Sequence, residues 1–313
     1  MENNQTFKEV PLRPLGNTGI NVSALGLGGY HLGTIKDDNE AVRLVHAAIA
    51  AGVTFMDNAW EYHDGRSEEL MGKALADRRD KVFLMTKVCT HGRDRKIALQ
   101  QLEDSLRRFK TDYLDLWQIH EVVYDNDPDL HFAPDGVIEA MEQARQAGKV
   151  RFIGFTGHKD PNIHLQMLAR KYPFDTCQLP LNCFDATYRS FAQQVLPELA
   201  RQGIAAIGMK SIGGGGDMVR AGAVTAEEAL RYALSLPVAT VVSGIESLAV
   251  LQQNLRVAGG FTPMNEAEMQ ALRDRCSVLA GDGRFELYKS SMKHDGPVGR
   301  SQHGYAAPTI LPV

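Results

Sequence analysis

The 313-residue sequence predicts an α/β fold, a (β/α)8 barrel, on three observations. Short and almost continuously hydrophobic runs recur along the chain, as in strands buried on both faces of a parallel sheet. Amphipathic stretches separate these runs and repeat at intervals of about 30 residues, the spacing of strand–helix units. Such a barrel typically takes about 250 residues, so a single domain is expected for residues 1–313, with the barrel at about 24–260.

A β-hairpin is predicted before the barrel, because two short runs in residues 11–24 flank an Asn-Thr-Gly turn. The eight barrel strands are predicted from the hydrophobic runs that follow it. These runs are ALGLGG (24–29), TFMDNA (54–59), VFLMTKV (82–88), YLDLWQIH (113–120), VRFIGFTG (150–157), TCQLPLN (176–182), IAAIGMKS (204–211) and TVVSGI (240–245).

Helices are predicted where apolar residues recur at helical spacing, and several of these stretches end in Gly, a common helix stop. Thr225 begins a T-x-x-E capping box with Glu228. A last helix over 265–281 precedes a polar tail that lacks periodicity and is predicted to be a loop. The barrel helices are predicted at 40–52, 66–77, 97–109, 135–149, 162–172, 191–203, 225–236 and 247–259.

A doubly wound sheet is the competing architecture for alternating strands and helices. That fold normally carries a G-x-G-x-x-G loop at the start of its first helix. The corresponding segment here, GLGGYHLG, lacks that spacing, which favours the barrel.

Composition limits the classes of partner. The chain is 44% hydrophobic and 23% charged, and its net charge of −4 includes no basic block, which argues against nucleic-acid or anionic-membrane binding. No apolar run approaches the roughly 18 residues of a membrane span, and MENNQTFKEV has no apolar segment of a signal peptide. The four cysteines show no metal-binding or disulfide spacing. We therefore expect a cytoplasmic protein with reduced thiols and no metal.

Polar residues gather at the predicted ends of the strands, where barrels of this kind form active sites. Lys87 ends an apolar strand and needs a partner for its buried ammonium, which Asp57 on the preceding strand can supply. This pairing is equally consistent with a structural ion pair. Tyr62 lies five residues after Asp57, and an adjacent cation lowers the pKa of a phenol, which favours a role as an acid. His120 ends the fourth strand and is either a hydrogen-bonded structural group or the donor that polarises a substrate oxygen.

The segment GVTFMDNAWEYHDGRSEELMGKAL resembles the DTA-x-x-Y-(G)-x-SE-x-x-G-x-AL signature of the aldo-keto reductases. The lysine of MTKV and the histidine of LWQIH match the other two members of that family's Asp–Tyr–Lys–His tetrad. The resemblance runs from about residue 12 to residue 260. It implies hydride transfer between NADP(H) and a small-molecule aldehyde or ketone, or the corresponding alcohol, with Tyr62 as proton donor. Lys87 would lower the pKa of Tyr62, Asp57 would fix Lys87 and His120 would orient the carbonyl oxygen.

The resemblance also implies cofactor contacts. Thr156 and Gln178 match the carboxamide-binding positions, but Gly157 replaces the family's Asn. The segment SIGGGG (211–216) is predicted to form a backbone nest for the pyrophosphate, although a mobile turn is the other interpretation. Met209 takes the place of the aromatic residue that stacks on the nicotinamide ring. The remaining predicted cofactor residues are Lys210, Ser211, Gly213, Gly214 and Gly244, with Gln253 and Asn254 near the adenine.

The form of the cofactor follows less directly from the sequence. Family members often bind the 2′-phosphate with a Lys and an Arg, where this chain has Gly244 and Val250, with Glu246 between them. An acid near the ribose favours NAD(H), which is not excluded. NADP(H) is nevertheless expected from the family's preference and from three possible replacement cations, Lys210, Arg220 and Arg256. Arg220 is the predicted replacement because it follows the glycine run.

Four residues are predicted at the substrate pocket, although each is also consistent with ordinary loop packing. Two other functions remain open. A nucleotide-binding regulatory subunit would use the same cofactor site with little turnover, and a Schiff-base aldolase would use Lys87 as its nucleophile. The predicted pocket residues are Tyr30, Trp60, His63 and Glu121.

Overall fold

Eight parallel strands close into a barrel in the computed structural model, which describes residues 8–90 and 94–306. The predicted barrel is confirmed and the doubly wound sheet is excluded, because the first and last barrel strands pair with each other. All eight predicted runs form strands. The strands are the hairpin pair β1 (Leu12–Pro14) and β2 (Asn21–Ser23), then β3 (Leu25–Gly28), β4 (Phe55–Asp57), β5 (Phe83–Val88), β6 (Leu114–Ile119), β7 (Val150–Thr156), β8 (Thr176–Pro180), β9 (Ala205–Met209) and β10 (Thr240–Gly244).

The barrel closes through β10 and β3, where Val241 lies opposite Leu25 and Ser243 opposite Leu27. The strand order is β10-β3-β4-β5-β6-β7-β8-β9, so each strand pairs with its neighbours in the chain. All eight strands consequently point their carboxyl ends to one side. We call that side the barrel mouth, and it is where the predicted catalytic residues lie.

The predicted hairpin covers the opposite end of the barrel. Leu15 and Val22 of this hairpin are fully buried and join the apolar cluster of the lower barrel interior. The rings of Phe55 and Phe83 stack there at 5.4 Å, and Phe152 continues the stack. This end of the barrel is therefore filled by packed side chains. Outside it, two surface cavities of about 530 and 570 Å³ flank the hairpin.

The helices pack around the barrel close to their predicted positions. Thr225 and Glu228 form the predicted capping box. The helix predicted over 191–203 is divided in two, because Pro197 lacks the amide that would continue the hydrogen-bond pattern. The helices are α1 (Gly29–Leu32), α2 (Asp38–Ala50), α3 (Arg66–Ala74), α4 (Arg95–Phe109), α5 (Asp127–His131), α6 (Val137–Gln146), α7 (Pro161–Ala169), α8 (Phe191–Gln194), α9 (Leu196–Gln202), α10 (Asp217–Arg220), α11 (Ala226–Ser235), α12 (Leu248–Gly259), α13 (Glu266–Ala280), α14 (Leu287–Ser290) and α15 (Pro297–Gln302).

Residues 282–306, which we call the C-terminal tail, contradict the predicted loop. They contain α14, α15 and a 3₁₀ turn between them, each too short for helical periodicity to show in the sequence. The tail is fixed by a buried cation, since Lys289 Nζ lies 2.7 Å from Asp185 Oδ1 and 3.0 Å from Glu286 Oε1. Residues 1–7 and 307–313, which the prediction of a single domain also covers, lie outside the described residues.

Two smaller findings concern the membrane and the thiols. Within the described residues, no helix combines the length and the apolar character that crossing a membrane requires. The four cysteines are free thiols, all of them buried: Cys89, Cys177, Cys183 and Cys276.

Candidate active site

Three of the four predicted catalytic side chains meet at the barrel mouth around one ammonium group. Lys87, in β5, places its Nζ 2.9 Å from Asp57 Oδ1 at the end of β4. The same nitrogen lies 2.7 Å from the carbonyl oxygen of Asn58 and 3.4 Å from the hydroxyl oxygen of Tyr62. The Lys87 and Asp57 side chains are only 1% and 4% exposed, so this ion pair is shielded from solvent.

The connection from β4 to α3 holds Tyr62 in place by an unusual turn. His63, Asp64 and Gly65 have positive φ angles of 52°, 55° and 90°. Glycine suits the last position because a φ of 90° strains any residue with a Cβ, and a Cβ there would also displace the Arg108 guanidinium, 2.3 Å away. The Tyr62 amide donates to the carbonyl of Ala59 at 3.1 Å. The backbone of this loop therefore sets the direction of the phenol.

The charges around Tyr62 do not match the prediction that Lys87 depresses its pKa. Burial raises the pKa of Tyr62 well above its usual range, and the carboxylates of Asp57 and Glu61 add to the rise. Burial also lowers the pKa of Lys87, although Asp57 opposes that shift. The predicted direction is therefore wrong in this structure, because burial and nearby carboxylates outweigh one ammonium that already pairs with Asp57. The consequence is a phenol that stays protonated at neutral pH.

His120, the fourth predicted residue, follows β6 and lies beside Tyr62. Their rings are 5.8 Å apart and nearly perpendicular. The Nδ1 atom of His120 lies 2.8 Å from Oε1 of Glu61. Glu61 was not among the predicted site residues, although its place directly before Tyr62 was a signal that could have identified it. The structure thus brings all four predicted residues together and adds a carboxylate.

Glu121, predicted at the substrate pocket, joins the barrel mouth to the C-terminal tail. One carboxylate oxygen contacts Nε2 of His158 and the other accepts from the Gly296 amide at 2.7 Å. Burial alone would raise the pKa of Glu121, but His158 reverses the effect and holds that pKa well below its usual range. Asn182 similarly donates to the hydroxyl of Tyr288 in the tail at 3.0 Å. These polar contacts fix the tail over the mouth.

The three other predicted pocket residues occupy different places. Tyr30 is 53% exposed, and its ring lies 5.4 Å from the ring of Tyr62, at the rim of the mouth. His63 contacts the carbonyl oxygen of Tyr30 through Nε2 at 2.8 Å. The indole of Trp60 instead donates to Asp104 at 3.4 Å, and Arg108 packs over its ring. Tyr30 and His63 therefore border the mouth, whereas Trp60 packs against α4.

Comparison with known proteins identifies the family. A profile described as the aldo/keto reductase family matches residues 24–216, more than half of the chain. The chain belongs to the aldo/keto reductase family. It is accordingly an NAD(P)H-dependent oxidoreductase.

Individual relatives agree with this assignment. Aldo-keto reductase YhdN of Bacillus subtilis is 30% identical over 197 residues, which span 58% of this chain and 56% of that protein. The uncharacterized oxidoreductase YqkF of the same organism is 26% identical over 306 residues, spanning 83% of this chain and 95% of that protein. The holo form of aldo-keto reductase AKR11C1 from Bacillus halodurans superposes with a TM-score of 0.73 at 25% identity, covering 89% of this chain and 100% of that one.

The strand ends opposite the tetrad fit the carboxamide of the nicotinamide cofactor that aldo/keto reductases use. Thr156 and Gln178 are paired in register on β7 and β8. Nε2 of Gln178 donates to Asp57 Oδ2 at 2.9 Å, whereas its Oε1 is buried without a hydrogen-bond partner among the described residues. A buried acceptor of this kind suits an amide donor from a ligand. Gly157 admits no side chain, since a Cβ would lie 2.4 Å from the Val122 carbonyl oxygen.

The loop after β9 fits the predicted role as an anion cradle in part. Lys210, Gly213, Gly214 and Gly216 have positive φ angles, the backbone pattern of a nest. The Gly213 and Gly216 amides are already bonded within the loop. The amides of Gly214 and Gly215 take part in none of the backbone hydrogen bonds of the described residues, and both residues are exposed, so these two donors are accessible to an anion. Ser211 is buried, whereas Met209 and Lys210 are half-buried at the edge of this loop.

The end of β10 departs most from the family pattern. A Cβ on Gly244 would lie 2.2 Å from Nδ1 of His31, so this ring occupies the space that a longer side chain would need. Asn254 donates to Ser243 Oγ at 2.9 Å and is buried, whereas Gln253 is partly exposed on the same helix, α12. Arg220, the predicted phosphate partner, pairs with Asp217 at the surface.

Proposed function

We propose that this oxidoreductase reduces an aldehyde or ketone with Tyr62 as the general acid. The observation that carries the proposal is the position of Lys87 Nζ, which contacts Asp57 Oδ1 at 2.9 Å and Tyr62 Oη at 3.4 Å. A phenol, an ammonium and a carboxylate in that order can deliver a proton and stabilise the phenolate that remains. Bound at Thr156 and Gln178, the nicotinamide would supply the hydride.

Each residue of the tetrad has a defined part in this proposal. Tyr62 holds its proton at neutral pH, because burial raises its pKa, and releases it to the carbonyl oxygen. Lys87 limits the cost of the phenolate, and Asp57 keeps Lys87 charged against the effect of burial. His120 lies edge-on to the Tyr62 ring, from where its imidazole can direct the carbonyl oxygen towards the phenol.

The contacts of Lys87 favour this role over that of a Schiff-base nucleophile. Its nitrogen already has three oxygen partners, from Asp57, Asn58 and Tyr62. An amine must lose a proton and reach the substrate to form a Schiff base. The side chain is only 1% exposed and its nitrogen is held by these three oxygens, so attack on a substrate carbonyl is obstructed.

NADP(H) is the proposed form of the cofactor, with Arg220 as the partner of the 2′-phosphate. The Arg220 guanidinium lies beside the glycine run, 2.8 Å from the Gly215 carbonyl oxygen, and 66% of the side chain is exposed. Losing a charged hydrogen bond to the phosphate costs about 1.5–3 kcal/mol. Fluorescence titration of both cofactors tests the proposal: tighter binding of NADH than of NADPH contradicts the cofactor form. Unchanged NADPH affinity in Arg220→Ala contradicts the role of that residue.

The deciding experiment for the catalytic proposal is Tyr62→Phe, which keeps the ring and removes the transferable proton. We expect kcat for carbonyl reduction to fall by about 10² to 10⁴, the usual contribution of positioned acid catalysis, with cofactor affinity unchanged. Tyr172→Phe is a matched control, because its hydroxyl bonds Glu142 on the outer surface. A Tyr62→Phe enzyme that retains more than half of the wild-type kcat, with hydride transfer rate-limiting, would contradict the role. A panel of aliphatic and aromatic aldehydes and ketones, followed by cofactor oxidation, then defines the substrate class.

A further inference from the structure

His120 of the tetrad and two side chains beside it offer one nitrogen, one oxygen and one sulfur donor within reach of each other. Among the described residues, Glu61, Cys89 and His120 place a ligand atom each so that all lie within 4.8 Å of one another. They come from the loop after β4, the residue after β5 and the residue after β6. Because these strands are neighbours in the barrel, the fold itself brings the three donors together.

The individual distances are short. His120 Nδ1 lies 2.8 Å from Glu61 Oε1, and Cys89 Sγ lies 3.3 Å from Glu61 Oε2. His120 is only 9% exposed, and its Nδ1 has no aligned hydrogen bond among the described residues despite the close carboxylate. Nδ1 therefore has only a misaligned contact with the Glu61 carboxylate, although buried polar atoms normally make well-formed hydrogen bonds. This geometry points to a ligand between the two side chains.

We propose that Glu61, Cys89 and His120 bind a zinc-class divalent cation through Oε, Sγ and Nδ1. Imidazole, thiolate and carboxylate are the three ligand types of zinc, at about 2.0–2.3 Å from the metal. Donors at such distances around a tetrahedral ion lie roughly 3–4 Å apart, which is close to the separations of this group. Mg²⁺ and Ca²⁺ are disfavoured, because they select oxygen ligands.

The charges of the bound state balance. Cys89 releases its thiol proton to solvent as the sulfur–metal bond forms, and the thiolate and the Glu61 carboxylate together neutralise the two charges of the ion. Three protein ligands leave a fourth position open to water. No oxidation or reduction is involved.

Binding through Nδ1 has a consequence for His120, which rests on the function proposed above. An imidazole that coordinates a metal through Nδ1 keeps its proton on Nε2, so it remains a hydrogen-bond donor. The loaded enzyme is therefore expected to retain carbonyl reductase activity. A metal bound through Nε2 would instead remove the donor that the proposed function assigns to the substrate oxygen, and would abolish activity.

The test uses Co²⁺, which reports a cysteine ligand by a thiolate-to-metal charge-transfer absorption. We expect the full-length protein to bind one equivalent with this absorption, and Zn²⁺ to displace it. Cys89→Ala should lose the absorption and bind Zn²⁺ at least about a hundredfold more weakly, and Glu61→Gln should also bind more weakly. Cys177→Ala is the matched control, since Cys177 is a buried free thiol on β8 and is not part of the group.

Cys89→Ala should fold, because the side chain of Gln101 bonds to the backbone of Cys89 and not to its sulfur. The Cys89 amide donates to Gln101 Oε1 at 2.8 Å, and the Cys89 carbonyl oxygen accepts from Gln101 Nε2 at 3.0 Å. Absence of the thiolate absorption in the wild type, or equal binding by wild type and Cys89→Ala, overturns the site. Loss of carbonyl reduction on loading overturns the Nδ1 assignment. A protein that shows the absorption but reduces no carbonyl without metal refutes the proposed function and leaves the metal site standing.

Discussion

Replacing Lys87 with Met separates the structural and the catalytic contributions of the tetrad. At an effective dielectric constant of about 20, charges 2.9 Å apart attract by about 6 kcal/mol, which partly offsets the cost of burying both groups. Lys87→Met leaves the Asp57 carboxylate buried with the Gln178 amide as its remaining side-chain partner. We therefore expect a loss of about 3–5 kcal/mol in the free energy of unfolding, and no measurable carbonyl reduction.

The double variant Asp57→Asn with Lys87→Met distinguishes the two effects. It removes both charges and keeps an oxygen that can accept from Gln178, so most of the lost stability should return while activity stays absent. Lys73→Met is the control, because its ion pair with Asp38 is exposed (46% and 37% for the two side chains), so solvent screens the pair and its loss should change stability little.

Urea unfolding followed by circular dichroism, together with initial rates of cofactor oxidation, measures both quantities. The reasoning fails if Lys87→Met is no more destabilising than Lys73→Met. It also fails if the double variant reduces carbonyl compounds at the wild-type rate.

Three further predictions concern the barrel mouth. The folded-state pKa of Glu121 lies below its unfolded value of about 4.3, so the ionised carboxylate stabilises the fold above that pH and this contribution is lost in more acid solution. The difference in the free energy of unfolding between wild type and Glu121→Gln should therefore shrink as the pH falls from 7 to 3, as measured by urea unfolding. Gly157→Asn should destabilise by about 1–3 kcal/mol without improving cofactor affinity, because a Cβ would lie 2.4 Å from a carbonyl oxygen. Gly281→Asn is the control, because this glycine has open space and no positive φ; thermal unfolding and cofactor titration compare the two variants. Lys289→Met should expose the C-terminal tail to limited proteolysis while the barrel stays resistant, and an unchanged digestion pattern would contradict the anchoring role.

The barrel and the tetrad could be predicted because their signals are local in the sequence. Strands buried on both faces are hydrophobic along their length, and Asp57, Lys87 and His120 stand at the ends of such runs. The direction of the Tyr62 pKa could not be predicted, because it depends on burial and on carboxylates brought in by other strands.

The C-terminal tail escaped prediction for a related reason. Its lysine and acids read as solvent-exposed, and only the folded chain shows that Lys289 is buried between Asp185 and Glu286. The crowding at Gly157 likewise arises from Val122, a residue 35 positions earlier in the chain, so the departure from the family motif had no visible cause in the sequence.

The attachment of the tail bears on how this scaffold could be recombined with its relatives. The C-terminal tail, which covers the barrel mouth, lies after residue 281, but the residues that bind it lie in the middle of the chain. They are Glu121, His158, Asn182 and Asp185. A chimera that takes its tail from another family member therefore places tail side chains that differ in sequence against these four residues. We therefore expect that a tail from a relative will dock only when both segments are transplanted together, while the β4–α3 loop with Tyr62 can stay with the recipient.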